Sequence, residues 1–581
     1  MQLPSGWPVQ VWATRAARWL GPWVHEVDRE TLRIDAQAAF LGALVVLPQG
    51  IAFATLAGLP AAWGLYTSIV PAMVAALAGS SRRMVSGPSN AISLALAAML
   101  GPLAATGSAA YLQLALVATF GVGLLQALLG LLRLGSLTNF ISPSVMLGFT
   151  SGAAVLIGWH ALADLLVGWE AFAVGMLTLA VALLSRRWLG NGQNMLLALV
   201  LGGVGSALLA WQGHESPRVG HIPQALPHME APPLTLDELR RLASISFALA
   251  IISLGQTVAV GKSLAGRRGE LFDANRECLG QGLSNIAGSF FSCFVSSGSM
   301  NRSVVNEQSG ARTPLAAVFS SLIVLALLVV ATPVLEWIPV AAIGALLLLV
   351  AWALFDREQW RRVVRIDRTE TAIAVGTFVA TLALSLEVAV LGGVMASLVT
   401  YLYRSARPAL RTMGFDTPPG GPGSRPFLVI DQAPDDFLPE CPQLKLLRME
   451  GAVYFGAAAH VSEHLHGLRL GPDAPRHLLV MAKSMSSIDL AGVDLWDAEL
   501  TRRRAMGGDL YFHRPRAQVM DMWQRSGFID RLGTDHVFDS KPQALAAIVP
   551  RLDDAICAGC KARIFEECAQ RPGALAAAAA G

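Results

Sequence analysis

The chain has 581 residues, 54% of them hydrophobic and only 15% charged, with a mean hydropathy of +0.50. Soluble domains carry roughly 25% charged residues, so an ordinary soluble protein is excluded and a lipid bilayer is the first partner. A net charge of +3 is too near balance to suggest a nucleic-acid partner, and six scattered cysteines make no disulfide framework.

Residues 1–33 are polar, with Trp and Arg interspersed, and lack the apolar core and cleavage site of a signal peptide. They read as a cytosolic N-terminal segment. From 34 to 405 the chain is a transmembrane domain of apolar stretches, each set against the roughly 20 residues that a crossing needs. Fourteen are predicted: 36–56, 60–79, 88–104, 111–132, 142–163, 167–184, 194–211, 243–262, 275–295, 299–309, 314–334, 339–355, 369–385 and 387–404. Arg82, Arg83, Arg133, Arg186, Arg187, Lys262, Arg267, Arg268, Arg312, the run from Arg357 to Arg368, and Arg404 all fall in connections on one side. The other side holds almost none apart from Arg218, Arg240 and Arg241. This positive-inside pattern places both termini in the cytosol and the chain as a multi-pass protein of the cell (inner) membrane. Seven stretches precede the 213–239 loop and seven follow it. An odd number per half inverts the second half, giving a 7+7 inverted repeat.

Two stretches are broken by Gly and Pro at corresponding places, SRRMVSGPSNAISLALAAML (81–100) and FFSCFVSSGSMNRSVVNEQSG (290–310). A helix that starts inside the bilayer leaves its first N–H groups unpaired, which lipid tolerates only where they line a protein cavity. Paired short segments of this kind mark a transporter's midplane site, and helix N-termini favour anions. At the tenth stretch Arg302 adds a cation at membrane depth, costly and therefore a candidate for function, the alternative being an Arg that pairs with Glu307 or snorkels to the cytosolic edge. Ser299, Met300, Asn301 and Ser303 frame the same start. At the third, Gly87-Pro88 permits the break and presents Ser89 and Asn90. On the first, Gln49 offers a neutral donor, with Phe53 one turn on along the same face.

Residues 406–440 are rich in Pro, Gly and Asp and form a linker. Residues 441–550 alternate β-like and helical runs, a small α/β domain on the cytosolic side. The tail, 551–581, carries Cys557, Cys560 and Cys568 as C-x2-C-x7-C and ends in an Ala-rich run. Three thiols lack the fourth ligand of a tetrahedral site unless Cys441 or a second copy supplies it. Reduced thiols are the expectation, metal binding or redox sensing the alternative. His460, His464 and His466 read as a solvated helix face. No cofactor, catalytic group or metal site is expected.

The ordered motifs PQGIAFATLAGLPAAWGLY (48–66), GSSRRMVSGPSNAISL (79–94), TVAVGKSLA (257–265) and GSMNRSVVNEQSGARTPLA (298–316) resemble those of the SulP (sulfate permease) family of anion transporters. The domain from 441 resembles that family's STAS module, with SSIDLAG (486–492) at its signature turn. The resemblance implies a core of stretches 1–4 and 8–11 moving against a gate of 5–7 and 12–14, in a homodimer. A small anion would sit between the third and tenth half-helices, beside Gln49, Phe53 and Gln256. Many bacterial members carry Glu at the positions of Gln49 and Gln256. An amide cannot carry a proton, so the simplest proton-coupled route is missing, unless Glu277 or Glu307 substitutes. Uracil and xanthine permeases share the architecture but need carboxylates near positions 256 and 301, so a nucleobase substrate is disfavoured. Bacterial STAS regulators phosphorylate a Ser where this chain has Ala491. The expected function is secondary active transport of a small inorganic anion, sulfate or bicarbonate first. The alternatives are an uncoupled channel or exchanger for chloride and other monovalent anions, and a membrane-anchored STAS regulator with vestigial transport.

Overall fold

A helix lies over each of the fourteen predicted stretches in the computed structural model. The described residues are 20–140, 142–188, 193–214, 216–218, 227, 229–335, 337–384, 386–419, 426–430, 437–471 and 474–573. Most of the N-terminal segment, parts of the 213–239 loop and of the linker, and the Ala-rich end lie outside them. The helices are α1 (Arg29–Leu56), α2 (Ala61–Ala78), α3 (Asn90–Leu100), α4 (Ala109–Leu131), α5 (Pro143–Leu165), α6 (Trp169–Ser185) and α7 (Gln193–Trp211). After the loop come α8 (Ala243–Arg268), α9 (Ala274–Ser289), α10 (Met300–Gln308), α11 (Leu315–Leu335), α12 (Val340–Leu354), α13 (Arg368–Ala383) and α14 (Leu386–Ser405). Among the described residues six helical segments reach, by length and composition, what a crossing needs, and α1, bent by 42°, makes a seventh. The bend in α1 lies between Leu44 and Val46, where Pro48 removes the hydrogen bond to the Leu44 carbonyl. At 1.5 Å per residue, α3 and α10 are about 16 and 14 Å long, half of a hydrocarbon core of about 30 Å.

The helices pack most closely within two sets. In one, α9 lies on α2 and α4, α11 on α1 and α2, and α8 on α4. In the other, α5 lies on α12 and α13, and α6 on α7 and α12, with Gly393 of α14 against Val145 and Thr377. Helices in lipid have no hydrophobic drive between them, so small residues that admit close backbone approach hold them together. Gly64 of α2 is the extreme case, because a Cβ there would lie 1.9 Å from the Gly50 carbonyl oxygen of α1. The buried Glu277 carboxylate ties α9 to the turn after α2, accepting from Ser80 N at 2.8 Å and Ser81 N at 3.0 Å.

Residues 398–581 form a second unit. Its sheet runs β4 (Leu428–Val429), β3 (Ala409–Gly414), β5 (Leu444–Val453), β6 (His477–Met481), β8 (Leu510–His513), β9 (Val537–Phe538), with β7 (Met485–Ile488) beside β5. Strands β5, β6, β8 and β9 are parallel, and β3 pairs antiparallel to β5. Side chains alternate between faces. Leu478, Val480, Leu510 and Phe512 meet helices α15 (Phe455–Gly467), α16 (Leu490–Ala505) and α17 (Ala517–Arg525) through Val461, Trp496 and Trp523. Leu479, Met481 and Tyr511 face the other way, onto Leu545, Ile548 and the tail residues Cys557, Ile564 and Phe565. Under α16 the buried Glu499 accepts from Arg503 Nε at 2.7 Å and from Arg469 Nη1.

Two outcomes follow. Gly64→Ala must part α1 from α2, so it should destabilise the membrane unit by about 1–3 kcal/mol, read as a lower unfolding midpoint in detergent. Glu499→Ala leaves two guanidinium groups without their carboxylate, one of them fully buried. It should cost about 3–5 kcal/mol, seen in denaturant titration of the soluble unit's tryptophan fluorescence.

Candidate functional site

The two broken segments cross. Ser86–Gly87 (β1) pairs antiparallel with Ser297–Gly298 (β2), in the register Ser86 to Gly298 and Gly87 to Ser297. Ser299 N donates to the Val85 carbonyl at 3.1 Å, and Val85 N to Ser303 Oγ at 2.9 Å. Backbone that would be orphaned in the bilayer is thus satisfied by the opposite break. The crossing brings the starts of α3 and α10 to one place.

Both starts have the residue type that caps helices, yet neither Ser89 nor Ser299 makes a side-chain cap hydrogen bond. Capping would have satisfied an N–H of the first turn. The Ser89 hydroxyl instead donates to Gln256 Oε1 at 3.0 Å, and Ser297 Oγ lies 2.9 Å from Ser89 Oγ and 3.0 Å from the same Gln256 oxygen. With its oxygen so engaged, Gln256 keeps its Nε2 as the donor for other partners. At α3 the Asn90 side chain takes the Ala91 N–H at 2.8 Å; no side-chain cap occupies the start of α10.

A cavity of about 650 Å³ opens on this crossing, lined by Phe53, Ser89, Asn90, Gln256, Ser299, Met300 and Asn301. Its opposite wall comes from the second helix set, with Met146 and Thr150 of α5 and Asp356 and Gln359 at the head of the short helix Arg357–Ile366. Lys262 also reaches it. Asp356 is already bound as a helix cap, its Oδ1 accepting from Gln359 N at 2.9 Å. A second cavity of about 660 Å³ is lined by Gln49, Arg186, Asn194 and Arg357, and Asn301 lines both.

Seven of the ten residues singled out in the sequence therefore line the first cavity and Gln49 lines the second, while Arg302 and Ser303 line neither. Ser303 holds the crossing together through Val85. Arg302 lies behind the start of α10, 2% exposed, with Nε 3.4 Å from Gln49 Oε1 and Nη1 3.3 Å from Ser68 Oγ. Its Nη2 has no partner among the described residues. Glu307 does not pair with it, being 3.5 Å from both Arg267 and Arg268. Glu277 is committed to Ser80 and Ser81, so neither of these carboxylates lines either cavity. Arg302 also explains Gly87, whose φ is +154° and where a Cβ would fall 2.3 Å from Arg302 Nη1. Sequence reasoning missed Ser297, Asp356 and Gln359. A hydroxyl beside the Gly of the second break was the available signal for Ser297; the other two had none.

The sulfate permease family profile matches residues 32–170 and 164–377, and the STAS domain profile matches 438–544. A probable sulfate transporter of Mycobacterium tuberculosis is 30% identical over 546 residues, covering 90% of this chain and 96% of the relative. The murine Slc26a9 anion transporter, solved in its inward-facing state, superposes with a TM-score of 0.79 at 20% identity over 95% of this chain and 96% of its own. The transmembrane domain of the cyanobacterial bicarbonate transporter BicA gives 0.58 at 23% identity, over 64% of this chain and 98% of its own.

The contact at Gly87 predicts that Gly87→Ala displaces the Arg302 guanidinium and loosens the crossing. The expected readout is faster hydrogen exchange at Val85–Gly87 and Ser297–Ser299 than in the unmodified protein, with the soluble unit unchanged.

Proposed function

This chain belongs to the sulfate permease family of transporters, and from that premise we propose that it is a secondary active transporter of small inorganic anions, sulfate or bicarbonate first. The fourteen helices are taken as membrane segments in a 7+7 inverted repeat, with cytosolic termini. The set α1–α4 with α8–α11 is the moving core, the set α5–α7 with α12–α14 the gate, and the working unit a homodimer. The anion sits between the starts of α3 and α10, held by first-turn N–H groups, the Asn301 side chain, and Gln256 Nε2. Alternating access carries this site past the gate wall of Met146, Thr150 and Gln359.

The observation that carries the reading is the pair of helix starts whose N-cap serines, Ser89 and Ser299, make no side-chain cap, facing one cavity lined beside them by the Gln256 and Asn301 amides. Each terminus presents roughly half a positive charge. Arg302, buried behind the start of α10 with no carboxylate partner among the described residues, adds a full charge to the same region. A buried cation of this kind is costly, and a bound anion offsets that cost. Gln49 and Gln256 leave no titratable group at the positions where a carboxylate would carry a proton. Exchange, or coupling to another ion, follows. An uncoupled anion channel is the second reading, favoured by the same two amides. The regulator reading loses ground because Ala491, just beyond the Asp489 cap of α16, has no hydroxyl to phosphorylate.

Uptake of radiolabelled sulfate and bicarbonate into proteoliposomes, under imposed proton, sodium and chloride gradients, tests the proposal. Saturable uptake driven by trans anion supports it, and no uptake of either anion under any gradient ends it. Arg302→Ala should abolish uptake while the protein stays folded. Gln256→Glu places a carboxylate beside the anion, so uptake should fall at least about tenfold at neutral pH. It should recover as pH drops and the carboxyl gains its proton, a dependence absent from the unmodified chain.

A further inference from the structure

The tail's three cysteines find a fourth in the fold. Cys557, Cys560 and Cys568 line one small pocket together with Cys441, which lies just ahead of β5, more than a hundred residues earlier. The void between them measures about 20 Å³, room for a single atom-sized occupant. A water is a poor one, because it needs two to four polar partners and thiols are weak hydrogen-bonding groups. The void is also far too small for an iron–sulfur cluster.

We propose that Cys441, Cys557, Cys560 and Cys568 form a four-thiolate site for one soft divalent cation, zinc above all, that staples the tail to the sheet of the soluble domain. Cys557 and Cys560 have the two-residue spacing of a metal knuckle, and Cys560 N donates back to the Cys557 carbonyl at 3.2 Å. Four cysteines around one tetrahedral ion is the chemistry of structural zinc. Among the described residues no three of these groups are yet drawn in to ligand distance, so binding turns the thiols inward onto the void.

The surroundings fit a bound ion's charge and hold its ligands in place. Four thiolates and one divalent cation carry a net charge of −2, and two guanidinium groups, Arg563 and Arg571, share the pocket wall. Arg563 donates to the Cys568 carbonyl at 2.9 Å and the Cys557 carbonyl at 3.3 Å, bridging two of the ligands. Arg571 Nε is buried without a hydrogen-bond partner among the described residues, a donor that a thiolate would satisfy. Gln443, two residues after Cys441, donates to Cys557 Sγ at 3.3 Å and exchanges hydrogen bonds with Asp553 at 2.8 and 3.0 Å. Outer-shell contacts of this kind orient metal ligands.

The test is a Co²⁺ titration of the full-length protein in detergent, after chelator treatment under reducing conditions. About one Co²⁺ should bind per chain, with thiolate charge-transfer and tetrahedral ligand-field absorption, and Zn²⁺ should displace it. Changes beyond the ligands alone cost about 10–100-fold in metal affinity, so Cys441→Ser, Cys560→Ser and Cys568→Ser should each lose more than about 100-fold. The double variant Cys278→Ser/Cys293→Ser, in the membrane unit, should bind as the unmodified chain does. A chain that gives no thiolate–cobalt spectrum holds plain reduced cysteines, and the proposal fails. It fails equally if Cys441→Ser binds normally. Should the serine variants not fold, Cys568→His decides: retained Co²⁺ with an altered ligand-field spectrum supports the site, and an unchanged spectrum or no binding overturns it.

Discussion

Everything in the membrane unit is arranged around four residues of backbone, Ser86–Gly87 against Ser297–Gly298. A chain that stops being helical at membrane depth must find partners for its N–H and C=O groups or lose several kcal/mol at each. Here each break is the partner of the other. The crossing in turn needs Gly87, because the Arg302 guanidinium occupies the space a side chain would take. It needs Ser303 to accept from Val85 N, and Thr257 to accept from Gly298 N at 2.8 Å. The helix starts are consequences of this pairing, and the cap left unmade by Ser89 and Ser299 is a consequence of the starts.

The charge around the crossing is similarly layered. The two helix starts present neutral groups to the cavity, and the Arg302 cation stands one layer back. Arg302 in direct contact with an anion would make a tight ion pair that is slow to release. Set behind α10, it raises the potential of the site without offering a bidentate clamp. The proposed transport needs binding strong enough to select and weak enough to let go, and a screened cation with amide and hydroxyl donors in front would meet both demands.

Much of this was legible in the sequence, and the rest was hidden for physical reasons. Hydropathy located every membrane-unit helix of span scale, and Gly/Pro placement located the breaks at 87–89 and 297–299. Uncompensated Arg at membrane depth singled out Arg302 as a candidate, but periodicity in a nine-residue helix could not say which side it faced. The far wall was invisible, because Met146, Thr150 and Gln359 carry no pattern separating them from helix surface or an ordinary cap. The C-x2-C-x7-C spacing was plain, whereas the convergence with Cys441 depends on how the tail folds back over the sheet. Long-range meetings of this sort are a property of topology and leave no local mark.

The central claim is that an anion rests between Ser89 and Asn301. Selenate is a close isostere of sulfate with strong anomalous scattering, so crystals of the protein soaked with it test the claim directly. An anomalous peak between the starts of α3 and α10, lost in the presence of excess sulfate, is the predicted result. A peak elsewhere, or none at this crossing while transport of selenate persists, would contradict the account.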